Sequence, residues 1–207
     1  MSRDPLTILA VAGISIYLAR LWLQDYSSYK RDGVPSAKAF PGATTVRFPL
    51  VLFGCLSAIA LVFVETGGEY LLGISEEQSS VTWLFLLGMV SAGFLEELIF
   101  RGYVVIDGRG RAALVGSVVA FSLLFALLHF HWAEWKGFGS GWFELTPTKA
   151  AAWWTLALFV NALLFYWLRF CRWNPSRSLI PCFAAHISSN VAVFLVKLAQ
   201  GFVVGVY

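Results

Sequence analysis

The sequence predicts an all-α fold, a bundle of about six transmembrane helices that forms a single integral membrane domain over residues 1–207. The first observation is composition: 58% of the residues are hydrophobic and 13% are charged, whereas soluble proteins hold about 45–50% apolar and about 25% charged residues. The second is that the apolar residues are gathered into long segments. The third is an aromatic content of 16% with nine Trp, typical of proteins with aromatic belts at the membrane interfaces.

Six segments have the length and composition of membrane spans, since about 20 mostly apolar residues are needed to cross about 30 Å of hydrocarbon. No small-residue cleavage site precedes the polar stretch after the first segment, so we expect it to be a retained span rather than a signal peptide. The predicted spans are Leu6–Leu23, Pro49–Val64, Val81–Arg101, a fourth that begins near Ala112 and passes His129, Ala150–Phe170 and Leu179–Val196.

Basic residues are distributed unevenly between the two sides of this topology. Five, three and three of the 15 Lys and Arg residues lie in the connections after the first, third and fifth spans or at the ends of those spans next to them. The positive-inside rule assigns that side to the cytoplasm, and both termini are then predicted to lie outside. The net charge of +3 and the lack of a long basic run argue against a nucleic-acid partner.

The connection His131–Lys149, between the fourth and fifth spans, has the composition of an interfacial loop. We expect it to lie at the outer surface, where it would cover an entrance to the bundle. Its turn-forming residues are Gly137, Gly139, Gly141 and Pro147, and its tryptophans are Trp132, Trp135 and Trp142.

Three ionisable side chains interrupt the third span, within the stretch Leu95–Arg101. Each costs about 2.5–3.5 kcal/mol at membrane depth. Glu97 and Arg101 are four residues apart, the spacing of an intrahelical ion pair, so each explains the other. Glu96 is rotated by roughly 100° from Glu97 and has no such partner. We therefore expect Glu96 to face another helix or water, in surroundings suited to a general base.

Polar side chains in the fourth and sixth spans complement Glu96. His129 closes the fourth span, and His186 and Asn190 lie four residues apart on one face of the sixth. Each alone would be interpreted as a hydrogen bond between helices. Together they supply what a general-base hydrolase requires, because a carboxylate and an imidazole activate water while an imidazole and a carboxamide stabilise an oxyanion. Only a structural role is predicted for His131, Ser122 and Asn161.

These residues form three ordered motifs, which read Glu96-Glu97-x-x-x-Arg101, Phe125-x-x-x-His129 and His186-x-x-x-Asn190. In this order they resemble the motifs of the CAAX protease and bacteriocin-processing family, glutamic-type intramembrane endopeptidases that include the Rce prenyl-protein protease. The resemblance covers about Val81 to Val196. It implies Glu96 as the base, His129 sharing the water, His186 and Asn190 as the oxyanion site, and Glu97 and Arg101 as supporting residues.

The resemblance implies an endopeptidase that acts without a cofactor on a membrane-anchored protein or peptide, with the lipid bilayer as its surroundings. Related proteins process prenylated tails, bacteriocin precursors or C-terminal sorting and anchor segments, and the sequence leaves this choice open. The small size and lack of extra domains favour a multi-pass protein of a prokaryotic cytoplasmic membrane.

Two alternatives remain open from the residues. One is a zinc metalloprotease with Glu96, His129 and His186 as ligands, since carboxylate and imidazole both suit zinc. The other is a non-catalytic immunity or scaffold protein whose polar residues only join helices.

The predicted spans conflict in depth. Glu96 would lie about 8 Å and His186 about 10 Å from the cytoplasmic ends of their spans, but His129 about 25 Å from the end of its own. Either the fourth span begins near Ser117 and runs past Trp135, or the helices tilt and bend around a cavity.

Overall fold

The computed structural model describes residues 4–136 and 143–207 and is helical through most of them. A π-helical segment, Glu97–Val104, continues the third helix, and a single 3₁₀ turn, Ser75–Glu77, follows the second. The predicted all-α bundle is confirmed. The six α-helices are α1 (Pro5–Asp32), α2 (Phe48–Leu72), α3 (Trp83–Glu96), α4 (Arg111–Leu127), α5 (Lys149–Phe170) and α6 (Ile180–Ala199).

Five of these helices are long and apolar enough to cross a membrane, when α3 and the π segment are counted together as Trp83–Val104. The protein is therefore a multi-pass membrane protein. The exception is α4, whose 17 residues extend about 26 Å, less than the hydrocarbon thickness. The prediction that the fourth span passes His129 is wrong, because the helix ends at Leu127 and Phe130 has a φ of 54°, in the left-handed region that ends helices.

A short antiparallel hairpin follows α4, formed by β1 (Ala133–Trp135) and β2 (Phe143–Leu145). It excludes the alternative in which the fourth span continues as a helix past Trp135. The glycines predicted to form an interfacial loop (Gly137, Gly139 and Gly141) and Trp142 lie outside the described residues.

The helices α1 and α2 extend beyond their predicted spans and end at glycines. Gly33 and Gly73 have φ of 73° and 70°, and their backbone N–H groups bond to carbonyls of the last turn, as is usual at helix C-termini. At the other end of α1, the side chain of Asp4 accepts a hydrogen bond from the Thr7 N–H at 2.8 Å and caps the helix.

The helix α6 lies at the centre of the bundle, where it packs against α2, α3 and α5. Small residues allow the close approach: Ala58 of α2 and Ala185 of α6 are both 0% exposed. The helix α1 packs on α3, and α4 on α5. Large apolar side chains face outward, for example Leu6 and Leu71, as expected for helices surrounded by lipid. His186 and Ser189 of α6, each 7% exposed, therefore lie in the interior of the bundle.

Candidate active site

The π segment begins at Glu97, directly after Glu96 ends α3. π-Helical turns are rare and frequently occur at functional sites. The side chain of Tyr166 on α5 donates a hydrogen bond to the Phe100 carbonyl at 2.9 Å, which ties this widened turn to the neighbouring helix. The predicted continuous α-helix through Arg101 is therefore wrong in its last turns, which are π-helical from Glu97 onward.

Glu97 and Arg101 form the predicted ion pair, with 3.0 Å between Arg101 Nη1 and Glu97 Oε1 and no exposure of either side chain. Arg101 also donates a hydrogen bond from Nη2 to the Ala162 carbonyl at 3.2 Å. Its guanidinium lies 4.8 Å from the ring centroids of both Phe125 and Tyr166. Cation–π contacts of this kind gain strength where water is excluded, so these rings help to stabilise a buried charge.

His186 lies between the two carboxylates. Its Nδ1 is 2.7 Å from Glu97 Oε1, and its Nε2 is 3.6 Å from Glu96 Oε2. The Glu96 side chain is 30% exposed while that of Glu97 is fully buried. One imidazole thus connects a buried carboxylate to a partly exposed one. Sequence analysis missed the contact with Glu97, and no local signal could have shown it, because the two residues are 89 positions apart.

Asn190 lies one turn after His186 on α6, and its Nδ2 donates a hydrogen bond to the Met89 carbonyl at 2.8 Å. Gly93 on α3 faces both side chains: a Cβ added there would lie 3.2 Å from Asn190 Nδ2 and 3.5 Å from the His186 ring. Gly93 therefore lets α3 approach the two residues closely. Sequence analysis missed it, although a glycine in an apolar span opposite a polar helix face is a recognised signal of close packing.

His129 is exposed and lies in the turn after α4. Its Nδ1 is 2.8 Å from the Phe125 carbonyl, so Nδ1 carries the proton in the neutral ring and Nε2 remains free to accept one. His129 makes no hydrogen bond or ion pair with Glu96. It is connected to the other residues through Phe125, whose ring centroid is 4.8 Å from that of His129 and 6.1 Å from that of His186.

The predicted difference in depth between Glu96 and His129 is removed by the connection between the π segment and α4. The Ile106 N–H donates a hydrogen bond to Ser117 Oγ at 3.2 Å, so the connection folds back beside the second turn of α4. Glu96 lies ten positions before Ile106 and His129 twelve positions after Ser117, so the two motifs lie at comparable chain distances from this shared level. The first turns of α4 project beyond the end of the π segment, and the two motifs come to similar depths.

Three further polar side chains, those of His131, Asn161 and Ser122, are predicted to have only a structural role. Burial, together with the nearby His129, lowers the pKa of His131 to about 4, so this ring is neutral near pH 7. Asn161 Nδ2 donates to the Ala157 carbonyl of its own helix at 3.1 Å, and Ser122 is buried. Within the described ranges 4–136 and 143–207, no three His, Cys, Asp or Glu side chains are grouped to hold a metal ion.

The fold and this site define a polytopic helical membrane protein with a buried cluster of carboxylate, imidazole and guanidinium groups. Residues 78–192, more than half of the chain, match the family model described as Type II CAAX prenyl endopeptidase Rce1-like. The chain belongs to this Rce1-like family, which makes it a CAAX-type intramembrane endopeptidase in general terms. Neither the curated proteins nor the solved structures contain a significant match.

Proposed function

We propose that this protein hydrolyses a peptide bond of a membrane-anchored protein or peptide with a water molecule activated by Glu96. The observation that carries the proposal is the position of the His186 imidazole between Glu96 and Glu97. A buried carboxylate that fixes one ring nitrogen leaves the other directed at the reacting groups, as in hydrolases that use a carboxylate to orient a histidine.

The distance of 3.6 Å between His186 Nε2 and Glu96 Oε2 is longer than a hydrogen bond, and the Glu96 side chain is 30% exposed, so its carboxylate is accessible to a water molecule. In the proposed reaction Glu96 accepts a proton from water while the water oxygen bonds to the scissile carbonyl carbon. Glu96 then returns the proton to the leaving nitrogen as the C–N bond breaks. General-base catalysis of this kind contributes about 10²–10⁴-fold to rate.

His186 and Asn190 supply the proposed oxyanion site. When the ring is protonated, Nδ1–H is held by Glu97, and Nε2–H, on the Glu96 side of the ring, is the donor assigned to the oxyanion. The four groups Glu96, Glu97, Arg101 and His186 then carry no net charge together, which limits the cost of burying them. The carboxamide of Asn190 has two N–H donors; one bonds to the Met89 carbonyl, and we assign the other to the oxyanion.

His129 Nε2 is assigned a second contact with the attacking water. Its free acceptor nitrogen and its depth near that of Glu96 support this role. In this role His129 Nε2 and the Glu96 carboxylate contact the same water molecule when substrate is bound.

The substrate class is tested by comparing membranes of the native host that express either wild-type protein or the Glu96→Gln variant. We expect loss of new peptide termini in one or a few membrane-anchored proteins in the variant, because the base is gone. Glu76→Gln, which alters an exposed glutamate of the 3₁₀ turn, is the matched control and should leave the termini unchanged. Unaltered termini with Glu96→Gln would refute the assignment.

A zinc-dependent reaction through Glu96, His129 and His186 is the alternative that uses the same residues. We expect the purified protein to retain cleavage in the presence of a strong chelator, because the proposed steps need only the carboxylate and imidazole groups. Cleavage of the identified substrate, measured with and without the chelator and after zinc is added back, separates the two mechanisms. Loss that zinc restores would favour the metal.

A further inference from the structure

The basic side of the bundle, where α2 begins and α5 ends, carries a groove that the proposed reaction does not use. The groove encloses about 540 Å³. One wall is the start of α2, with Arg47 and Phe53, and the other is the turn between α5 and α6, with Arg172 and Trp173. Each wall thus contributes one guanidinium and one large aromatic side chain.

Both guanidinium groups lack an acidic partner among residues 4–136 and 143–207. The Arg172 guanidinium lies over the Trp173 ring, 5.4 Å from its centroid. Two acidic side chains on the same side are engaged elsewhere: Asp107 pairs with Arg177, and Asp25 accepts the Phe40 N–H. Two exposed guanidinium groups in one groove therefore give it a positive charge that favours an anion from outside the chain.

The two walls are fixed relative to each other by hydrogen bonds across more than 130 positions of sequence. Ser178 Oγ donates to the Thr44 carbonyl and Ser176 Oγ to the Thr45 carbonyl, each at 2.6 Å. The Leu179 N–H donates to the Gly42 carbonyl at 3.0 Å. Asn174, which is 1% exposed, bonds to the carbonyls of Leu168 and Ser178 from within the turn. The groove is therefore preorganised, which reduces the entropic cost of binding.

Aromatic rings form the membrane-facing edge of the groove. Phe53, Trp167 and Trp173 lie with ring centroids 5.6–6.5 Å apart, and all three are exposed. Aromatic side chains of this kind lie at the level of lipid headgroups. A basic groove beside such a cluster has the chemistry of a site for an anionic headgroup, with acyl chains along the apolar surface.

We propose that this groove binds an anionic phospholipid of the adjoining leaflet, with Arg47 and Arg172 on its phosphate. The site is separate from the Glu96 site and does not depend on the proposed hydrolysis. A bound lipid would join α2 to the α5–α6 turn at the membrane surface.

The test is a titration of the full-length protein in detergent with phosphatidylglycerol or phosphatidylcholine, read by native mass spectrometry. The wild type should prefer phosphatidylglycerol. Arg47→Gln/Arg172→Gln should weaken that binding about 25-fold, since each basic side chain near an anionic surface contributes about fivefold. Single variants should lose about fivefold and provide the measurement if the double variant is unstable.

Arg109→Gln/Arg111→Gln is the matched control, because it removes two exposed charges from the same side but outside the groove. We expect it to bind phosphatidylglycerol as the wild type does. Equal losses in both double variants, or no loss in the groove variant, would overturn the proposal. Inorganic phosphate is the competitor: failure to displace the lipid supports a lipid site, and displacement would assign the groove to a soluble anion instead.

Discussion

At the scale of single residues, Glu97 makes two contacts, and its spacing in the sequence predicts only one of them. It neutralises Arg101 and it holds His186 Nδ1. The first contact could be predicted because residues four apart in a helix are neighbours whatever the tertiary fold. The second could not, because it depends on how α6 packs against α3.

Because Glu97 is buried beside Arg101 and Glu96 is partly exposed, replacing each glutamate should have a different effect. Glu97→Gln leaves the Arg101 charge buried without a counter-ion, so we expect it to lower the free energy of unfolding by about 3–5 kcal/mol. Glu96→Gln should change stability little, since Glu96 is partly exposed, while abolishing cleavage. Thermal melting and cleavage rates of both purified variants provide the measurement. Equal stability of the two would show that Glu97 is not needed to balance Arg101.

Gly93 is a second prediction at the residue scale. Gly93→Ala places a Cβ 3.2 Å from Asn190 Nδ2, which must displace the carboxamide or the helix by a few tenths of an ångström. We expect the cleavage rate to fall about tenfold, because a misplacement of catalytic groups by about 1 Å can cost about 10²-fold and the shift here is smaller. Gly13→Ala is the control, since a Cβ there meets nothing within 4 Å. A normal rate in Gly93→Ala, with the protein folded, would contradict the proposed use of Asn190.

At the scale of elements, the loop before α2 and the turn before α6 act as one hydrogen-bonded unit. Gly42 is required there for two reasons, its φ of +65° and the 2.6 Å that would separate an added Cβ from Leu179 Cγ. A steric reason and a conformational reason therefore act at the same position.

Gly42→Ala and Gly33→Ala separate the two reasons. Gly33 has a φ of +73° but open space around it, so Gly33→Ala should cost about 1–2 kcal/mol, the left-handed penalty alone. Gly42→Ala should cost about 1–3 kcal/mol more, because overpacking is added. Melting temperatures of the two variants in one detergent give the comparison. Equal destabilisation would mean that the loop accommodates the added Cβ at Gly42 without a further loss of stability.

The elements also show which parts of the fold could be predicted from sequence. Spans that are long and apolar were predicted from composition alone, because the membrane requires them. The end of α4 at Leu127 could not be predicted, since the turn at Phe130 has no glycine or proline to indicate it. The π segment was missed as well, because its hydrogen bond to Tyr166 comes from another helix.

At the scale of the whole molecule, the central position of α6 decides which motif residues meet. His186 and Asn190 reach α3 because α6 packs against α2, α3 and α5 together. The sequence predicted that Glu96, His186 and Asn190 belong to one site, and the structure brings His186 within 3.6 Å of Glu96. His129 lies at the periphery of this cluster, where the Phe125 ring connects it to His186.

The hydrogen bond between Ile106 and Ser117 has a consequence for chain length. Because this bond joins Ile106 to Ser117, the depths of Glu96 and His129 do not depend on the number of residues between Ile106 and Ser117. Insertions or deletions within residues 107–116 therefore leave the two motifs at the same level. One residue added between Ser117 and Phe125 would instead rotate Phe125 and His129 by about 100° away from Arg101 and His186. The number of residues before Ser117 can therefore vary, whereas the number between Ser117 and Phe125 is fixed by the site.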